Sequence, residues 1–182
     1  MAEYNPAGVT VMPYLVKEEA ILGMETLPKS NLKSTEYEKL FDIKDVQEGI
    51  QALIKNNDFA ISKFELLVLE PGDDLRQWQI SCDPNTDRKV TVFIALDDLE
   101  ENSGAPLWIP HIHKLEECPN NEQLSKSYFE DNNQKIYPMK KRFACMKKGD
   151  VTIVHPYMWF SLGYNTSRET KRFCVATYSI VE

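Results

Sequence analysis

Val90-Thr-Val-Phe-Ile-Ala-Leu-Asp-Asp-Leu-Glu-Glu-Asn-Ser-Gly104 is the stretch on which the fold turns. Its first seven residues are β-branched, aromatic or aliphatic without a break, apart from one Ala. That composition fits a pleated, buried surface. A strand of this kind needs partners, and its flanks supply them. Upstream, Phe64, Leu66 and Val68 alternate with Glu65, Leu67 and Leu69, a period of two. Pro71-Gly72-Asp73-Asp74 and Pro84-Asn85-Thr86-Asp87 are turns, with a strand from Arg76 to Cys82 between them. Downstream, Leu107-Trp108-Ile109 reads as a short strand, and residues 114–140 as a polar loop with a helical piece. Val151-Thr-Ile-Val154 and Phe173 to Val181 read as the closing strands. Ahead of them all, Val46, Ile50, Leu53 and Ile54 fall on one helical face. Thr35 with Glu38, and Asp45 with Glu48, have capping-box spacing. Asn56-Asn57-Asp58 ends that helix. The first thirty-odd residues are irregular, interrupted by Pro6, Pro13 and Pro28. Short strands separated by turns after a helix predict a mainly β chain, a β-sandwich or jelly roll.

Bulk properties narrow the function. A chain of 182 residues suits one domain with a real core. A net charge of −7 argues against a nucleic-acid partner, because phosphate binding needs a basic face. The local basic patch of Lys140, Lys141, Arg142, Lys147 and Lys148 reads as a solvated loop face. No apolar run is long enough to span a bilayer, so no membrane partner is expected. The first residues lack a basic start followed by an apolar stretch, so a cytoplasmic location is expected. Cys82, Cys118, Cys145 and Cys174 show no C-x-x-C spacing, which removes the usual zinc-ribbon and redox motifs. They read as reduced thiols, with Cys145 and Cys174 buried in apolar strands.

Three segments carry a resemblance. The first is the opening stretch, running through Pro106-Leu-Trp-Ile-Pro110 to His113-Lys114. The second is Lys148-Gly149-Asp150-Val-Thr-Ile-Val-His155-Pro156. The third is Gly163-Tyr-Asn165-Thr-Ser167, followed by Lys171-Arg172 and the last strand. In order and spacing they resemble the phytanoyl-CoA dioxygenase family of iron(II)/2-oxoglutarate oxygenases, over about residues 59 to 182. The resemblance implies a double-stranded β-helix, a cupin-like jelly roll, with N-terminal and flanking helices. It implies one domain over 1–182, with a lead-in over 1–58 and a jelly-roll core over 59–182.

The same resemblance exposes what is missing. Iron chemistry in such proteins uses two His and one carboxylate, leaving positions open for the co-substrates. The family supplies a His-x-Asp on the second strand of the core and a distal His after the Gly-Asp strand. Residues Arg76 to Asp83 contain no His, and Asp83 is their only carboxylate. The resemblance puts Trp78 on the His position and Ile80 on the Asp position. Gly149-Asp150 and Gly163-x-Asn165 bracket the distal position, which is Phe160. Lys171 and Arg172 match the place of the basic residue that anchors 2-oxoglutarate. One of two adjacent strand residues must face inward unless the strand is bulged. A cation so placed needs a carboxylate, a bound anion or water.

Trp, Ile and Phe cannot ligate iron. Converging in a barrel mouth, each would gain about 1.5–3 kcal/mol from burial, whereas empty polar ligands would need hydration. The expectation is therefore a pseudo-dioxygenase with no catalytic residue, metal or cofactor, in which Trp78, Ile80 and Phe160 share one apolar cluster. It would act as a binding or scaffold module for a small anion, a peptide or a protein partner, with homodimerisation through sheet edges or the N-terminal segment as one form. The alternative is an active Fe(II)/2-oxoglutarate dioxygenase with a rebuilt metal site. That site would draw on His111, His113 and His155, with Asp83 or Asp97. His111 and His113 share a face if their segment is extended. Against it, His113 and His155 match family positions away from the metal. Of the run Tyr157, Trp159, Phe160 and Tyr164, which would suit an interface, Trp159 and Phe160 read first as core.

Overall fold

The computed structural model describes residues 8–25, 39–74, 79–80, 89–108, 110 and 142–181. Along the chain these form β1 (Val9–Met12), α1 (Glu18–Glu25), α2 (Lys44–Ile54), β2 (Phe59–Leu69) and β3 (Gln79–Ile80). There follow β4 (Val90–Ala95), β5 (Leu107–Trp108), β6 (Arg142–Phe143), β7 (Val151–Val154), β8 (Trp159–Ser161) and β9 (Lys171–Ile180). Two antiparallel sheets result. One runs β1-β7-β4-β9-β2 and the other β3-β8-β5-β6. This is the jelly-roll arrangement that the strand pattern predicts.

The core has two parts. The sheets enclose Phe93, Phe173, Leu69 and Val154 from the larger sheet with Trp108, Trp159 and Phe160 from the smaller. On the larger sheet's other face, Val46, Ile50 and Ile54 of α2 cover Val92, Ile94, Ile153, Cys174 and Ala176. Strand β4 lies between the two parts, with all six residues buried. That is why its sequence is an unbroken apolar run and not an alternating one. In β9, Phe173 and Val175 point to the enclosed interior while Cys174, Ala176 and Tyr178 point to the helix.

Tight turns hold the strand ends. Gly104 adopts a φ of +89°, and a Cβ there would lie 2.2 Å from Leu69 Cδ1, so the Asn-Ser-Gly turn needs its glycine. Asn165 is fully buried. Its Nδ2 donates to the carbonyls of Leu69 and Glu169, each at 2.9 Å. Its Oδ1 accepts from the Ser167 hydroxyl at 2.6 Å.

Several expectations change. The helix expected near 45–56 begins at Lys44, and its N-cap is Ile43, with no side-chain cap hydrogen bond. Asp45 and Glu48 thus form no capping box there, because Asp45 is already inside the helix. Thr35 and Glu38 lie outside the described residues. Strand β1 and helix α1 fall in the stretch read as irregular, and β8 falls between the expected strands at 151–154 and 173–181. The last strand starts at Lys171, two residues before the expected Phe173. Cys145 is exposed, contrary to expectation, while Cys174 is buried. No described helix is long and apolar enough to cross a membrane.

Burial pushes the Cys174 thiol from 9.0 up to about 12. The unfolded chain therefore loses this proton first. The resulting stability is whole below pH 9 and is lost as pH climbs through 12. Brief alkylation of the native protein at pH 8, followed by peptide mapping, should find Cys145 modified and Cys174 intact. Asn165→Ala leaves buried carbonyls without donors and should cost about 2–4 kcal/mol in urea unfolding; a loss under about 0.5 kcal/mol would deny Asn165 its structural role.

Candidate functional site

The family resemblance implies a metal in the barrel mouth, and strand β8 carries Phe160, the residue expected at the distal position. Phe160 is buried, 6% exposed. Its ring meets that of Phe93 edge to face, at 5.5 Å and 82°. Phe93 in turn packs against Phe173 at 6.1 Å. These three rings join the two sheets across the enclosed interior. Phe160 offers no lone pair, so its position does not fit iron. Sequence reading did not single out Phe93 and Phe173 as its partners, although alternation along β4 and β9 puts both on the inner face.

The register around Phe160 refines the expected triad. Gln79 stands opposite Phe160 and Ile80 opposite Trp159, while Trp108 stands opposite Phe160 on the other side. Position 79, not 80, is thus the direct cross-strand neighbour of Phe160. Trp78 lies outside the described residues, and with it the expected three-way cluster.

The other candidates are also placed. His155 follows β7 directly and serves the turn there. Its Nδ1 accepts the Tyr157 N–H at 3.2 Å, and its carbonyl accepts the Met158 N–H at 2.9 Å. Asp97 is engaged by Arg172: its Oδ2 accepts from the Arg172 backbone N–H and Nε, and its Oδ1 from Nη2, at 2.8–2.9 Å. His111, His113 and Asp83 lie outside the described residues. Among the described residues no group of three His, Cys, Asp or Glu could hold a metal ion.

Of the two basic candidates, Lys171 is the inward one. It shares its face of β9 with Phe173 and stands opposite Leu69. Its side chain is 12% exposed, and Nζ lies 2.7 Å from Glu169 Oε2. The carboxylate that an inward cation needs is therefore present within the chain. Arg172 points the other way, to Asp97.

The basic patch is partly neutralised. Asp98 accepts from Lys147 Nζ and from the Lys148 backbone N–H, both at 2.9 Å. The Lys147 hydrogen bond first, then that of Lys148, hold the Asp98 carboxyl below its ordinary value. Exposed pairs of this kind add little stability. Asp150 accepts from the backbone N–H of Tyr14 at 2.8 Å and of Lys147 at 2.7 Å. Of the aromatic run, Trp159 and Phe160 are buried, Tyr157 is half-buried and Tyr164 is exposed.

Comparison with known proteins agrees with this fold. The profile of the phytanoyl-CoA dioxygenase family matches residues 24–173. No curated protein sequence matches the chain. Among solved structures, the non-heme alpha ketoglutarate dependent epimerase SnoN from nogalamycin biosynthesis superposes with a TM-score of 0.78. The identity is 16%, over 98% of this chain and 81% of that one. HygX from Streptomyces hygroscopicus, with nickel, 2-oxoglutarate and hygromycin B bound, gives a TM-score of 0.73 at 10% identity, over 97% and 84%. AviO1 from Streptomyces viridochromogenes Tue57 gives 0.70 at 14%, over 96% and 90%. At such identities the likeness speaks for the fold alone.

Phe160→Ala should open a cavity beside the Phe93 ring and cost about 3–5 kcal/mol. Urea unfolding with an unchanged m-value checks this. A loss below about 1 kcal/mol would show that the ring does not bind the sheets together.

Proposed function

Because the chain belongs to the phytanoyl-CoA dioxygenase family, we propose that it keeps the oxygenase fold without the iron chemistry and works as a binding or scaffold module. The observation that supports this best is Phe160, packed on Phe93 where a ligand nitrogen would have to stand. A metal centre in this family would supply oxygen activation and orient 2-oxoglutarate. This chain's residue at the distal position excludes water and locks two sheets instead. The two carboxylate and imidazole candidates that are described have other duties, Asp97 with Arg172 and His155 with its turn. Lys171 meets Glu169, which removes the excess positive charge that a dicarboxylate would seek. The competing reading, a rebuilt metal site, then rests on His111, His113 and Asp83.

Anaerobic incubation of the full chain with Fe(II), followed by gel filtration and metal analysis, should recover no stoichiometric iron. Incubation with Fe(II), 2-oxoglutarate and oxygen should form no succinate above the buffer control. Stoichiometric iron that is lost in His111→Ala or Asp83→Ala would establish the rebuilt site in its place.

A further inference from the structure

Strand β2 is an outer strand of the larger sheet: among the described residues it pairs with β9 alone. Backbone parity fixes what it shows to the open side. The Val181 N–H donates to the Asp58 carbonyl at 3.0 Å, and Phe59, Ala60 and Ile61 stand opposite Ile180, Ser179 and Tyr178. Bonded positions alternate along an antiparallel pair. Asp58 and Ala60 therefore bond β9, and Phe59 and Ile61 turn their N–H and C=O groups outward. Those groups meet no partner among the described residues. Past Ile61 the edge is blunted as sheet edges commonly are. The register slips between Ile61 and Lys63, and the exposed Lys63 and Glu65 pair at 3.1 Å. Residues 59–61 have neither protection. A cleft of about 430 Å³ lies against them, walled by Lys39, Asp42, Gln47 and Tyr178. Lys39 and Asp42 are exposed, and neither has an ion-pair partner among the described residues.

We infer that residues 59–61 and this cleft form a docking slot for a short extended peptide, which joins the larger sheet as a further strand. The outward N–H and C=O groups recur at every second residue, about 7 Å apart along the strand. An extended chain offers matching acceptors and donors at that spacing, and a compact small molecule does not. The slot is short because the bulge and the ion pair close it at one end. In such strand addition the main-chain bonds give affinity and the side-chain contacts give specificity. Lys39 and Asp42 offer one charge of each sign on the cleft wall, so the peptide carries one acidic and one basic residue. This rests on the binding-module reading above and names its partner.

The test titrates the full chain, labelled with nitrogen-15, with the peptide acetyl-Glu-Thr-Val-Thr-Lys-amide. The Phe59 and Ile61 amide resonances should move saturably, while those of Val9 and Val11, on the sheet's other outer strand, should stay. Methylating the Val nitrogen of the peptide, or instead both Thr nitrogens, blocks one of its edges at a time. One of these two peptides should lose affinity at least tenfold and the other should keep it. The double variant Lys39→Gln, Asp42→Asn alters only exposed side chains; it should fold normally and bind the first peptide at least threefold more weakly. Equal affinity for all three peptides, movement at Val9 and Val11 in place of Phe59 and Ile61, or an unchanged affinity in the double variant would each overturn the slot. So would no response to any peptide, and a dimer in gel filtration would then assign the edge to a second copy. Stoichiometric iron in the metal analysis would sink the non-catalytic reading while the peptide titration stayed readable, so the two failures are separable.

Discussion

Asn165 closes the loop system at one end of the barrel, and much of the architecture depends on that closure. Its amide holds the end of β2 through the Leu69 carbonyl and the approach to β9 through Glu169. Its backbone exchanges hydrogen bonds with the turn after β2, accepting from Gly72 and donating to Asp73. The neighbouring Thr166 N–H reaches Asn102 in the turn after β4. One buried residue thus ties three connections together. A buried amide that satisfies both donors and its acceptor is rigid, because any shift leaves a polar atom unpaired.

Three carboxylates do the same work at other strand ends. Asp97 joins the end of β4 to the start of β9 through Arg172. Asp98 joins it to the turn before β7 through Lys147 and Lys148. Asp150 binds that turn to Tyr14. These residues, with Gly104 and Asn165, are the ones by which the family is recognisable in sequence. They make turns and clamps. Their survival says that the fold is retained, and it is independent of any metal. The family can therefore be recognised from turns and clamps that take no part in holding a metal.

This division explains what was legible beforehand. Strands β4 and β7 stand out because burial on two faces demands unbroken β-prone runs. The helix at Lys44–Ile54 stands out because only one of its faces is covered. Strand β8 does not, since Trp159–Ser161 is three residues long and follows a Pro-Tyr turn; its pairing with β3 and β5 comes from distant parts of the chain. Asp45 and Glu48 had the spacing of a cap without its place, as spacing alone does not locate the first helical residue. Lys171 and Arg172 are equivalent in sequence. Only the parity of β9, fixed by Phe173 inside and Cys174 outside, sends Lys171 inward. Cys145 looked buried from its apolar neighbours, but it precedes the Met146 bridge to Leu99 and faces the other way.

The phenylalanine at position 160 also sets what a polar residue would cost there. A lone His at 160 would lie against the Phe93 ring, where an imidazole loses water. One ligand gives little metal affinity, because the chelate needs the others in place. A single histidine at this position would thus lose packing. With a stability margin of about 5–15 kcal/mol for the whole domain, a loss of about 3–5 kcal/mol from one emptied core position is a large fraction of it. Packing at position 160 is therefore self-locking: each apolar ring raises the cost of introducing any single polar neighbour, and the interior is held to small changes that keep it closed.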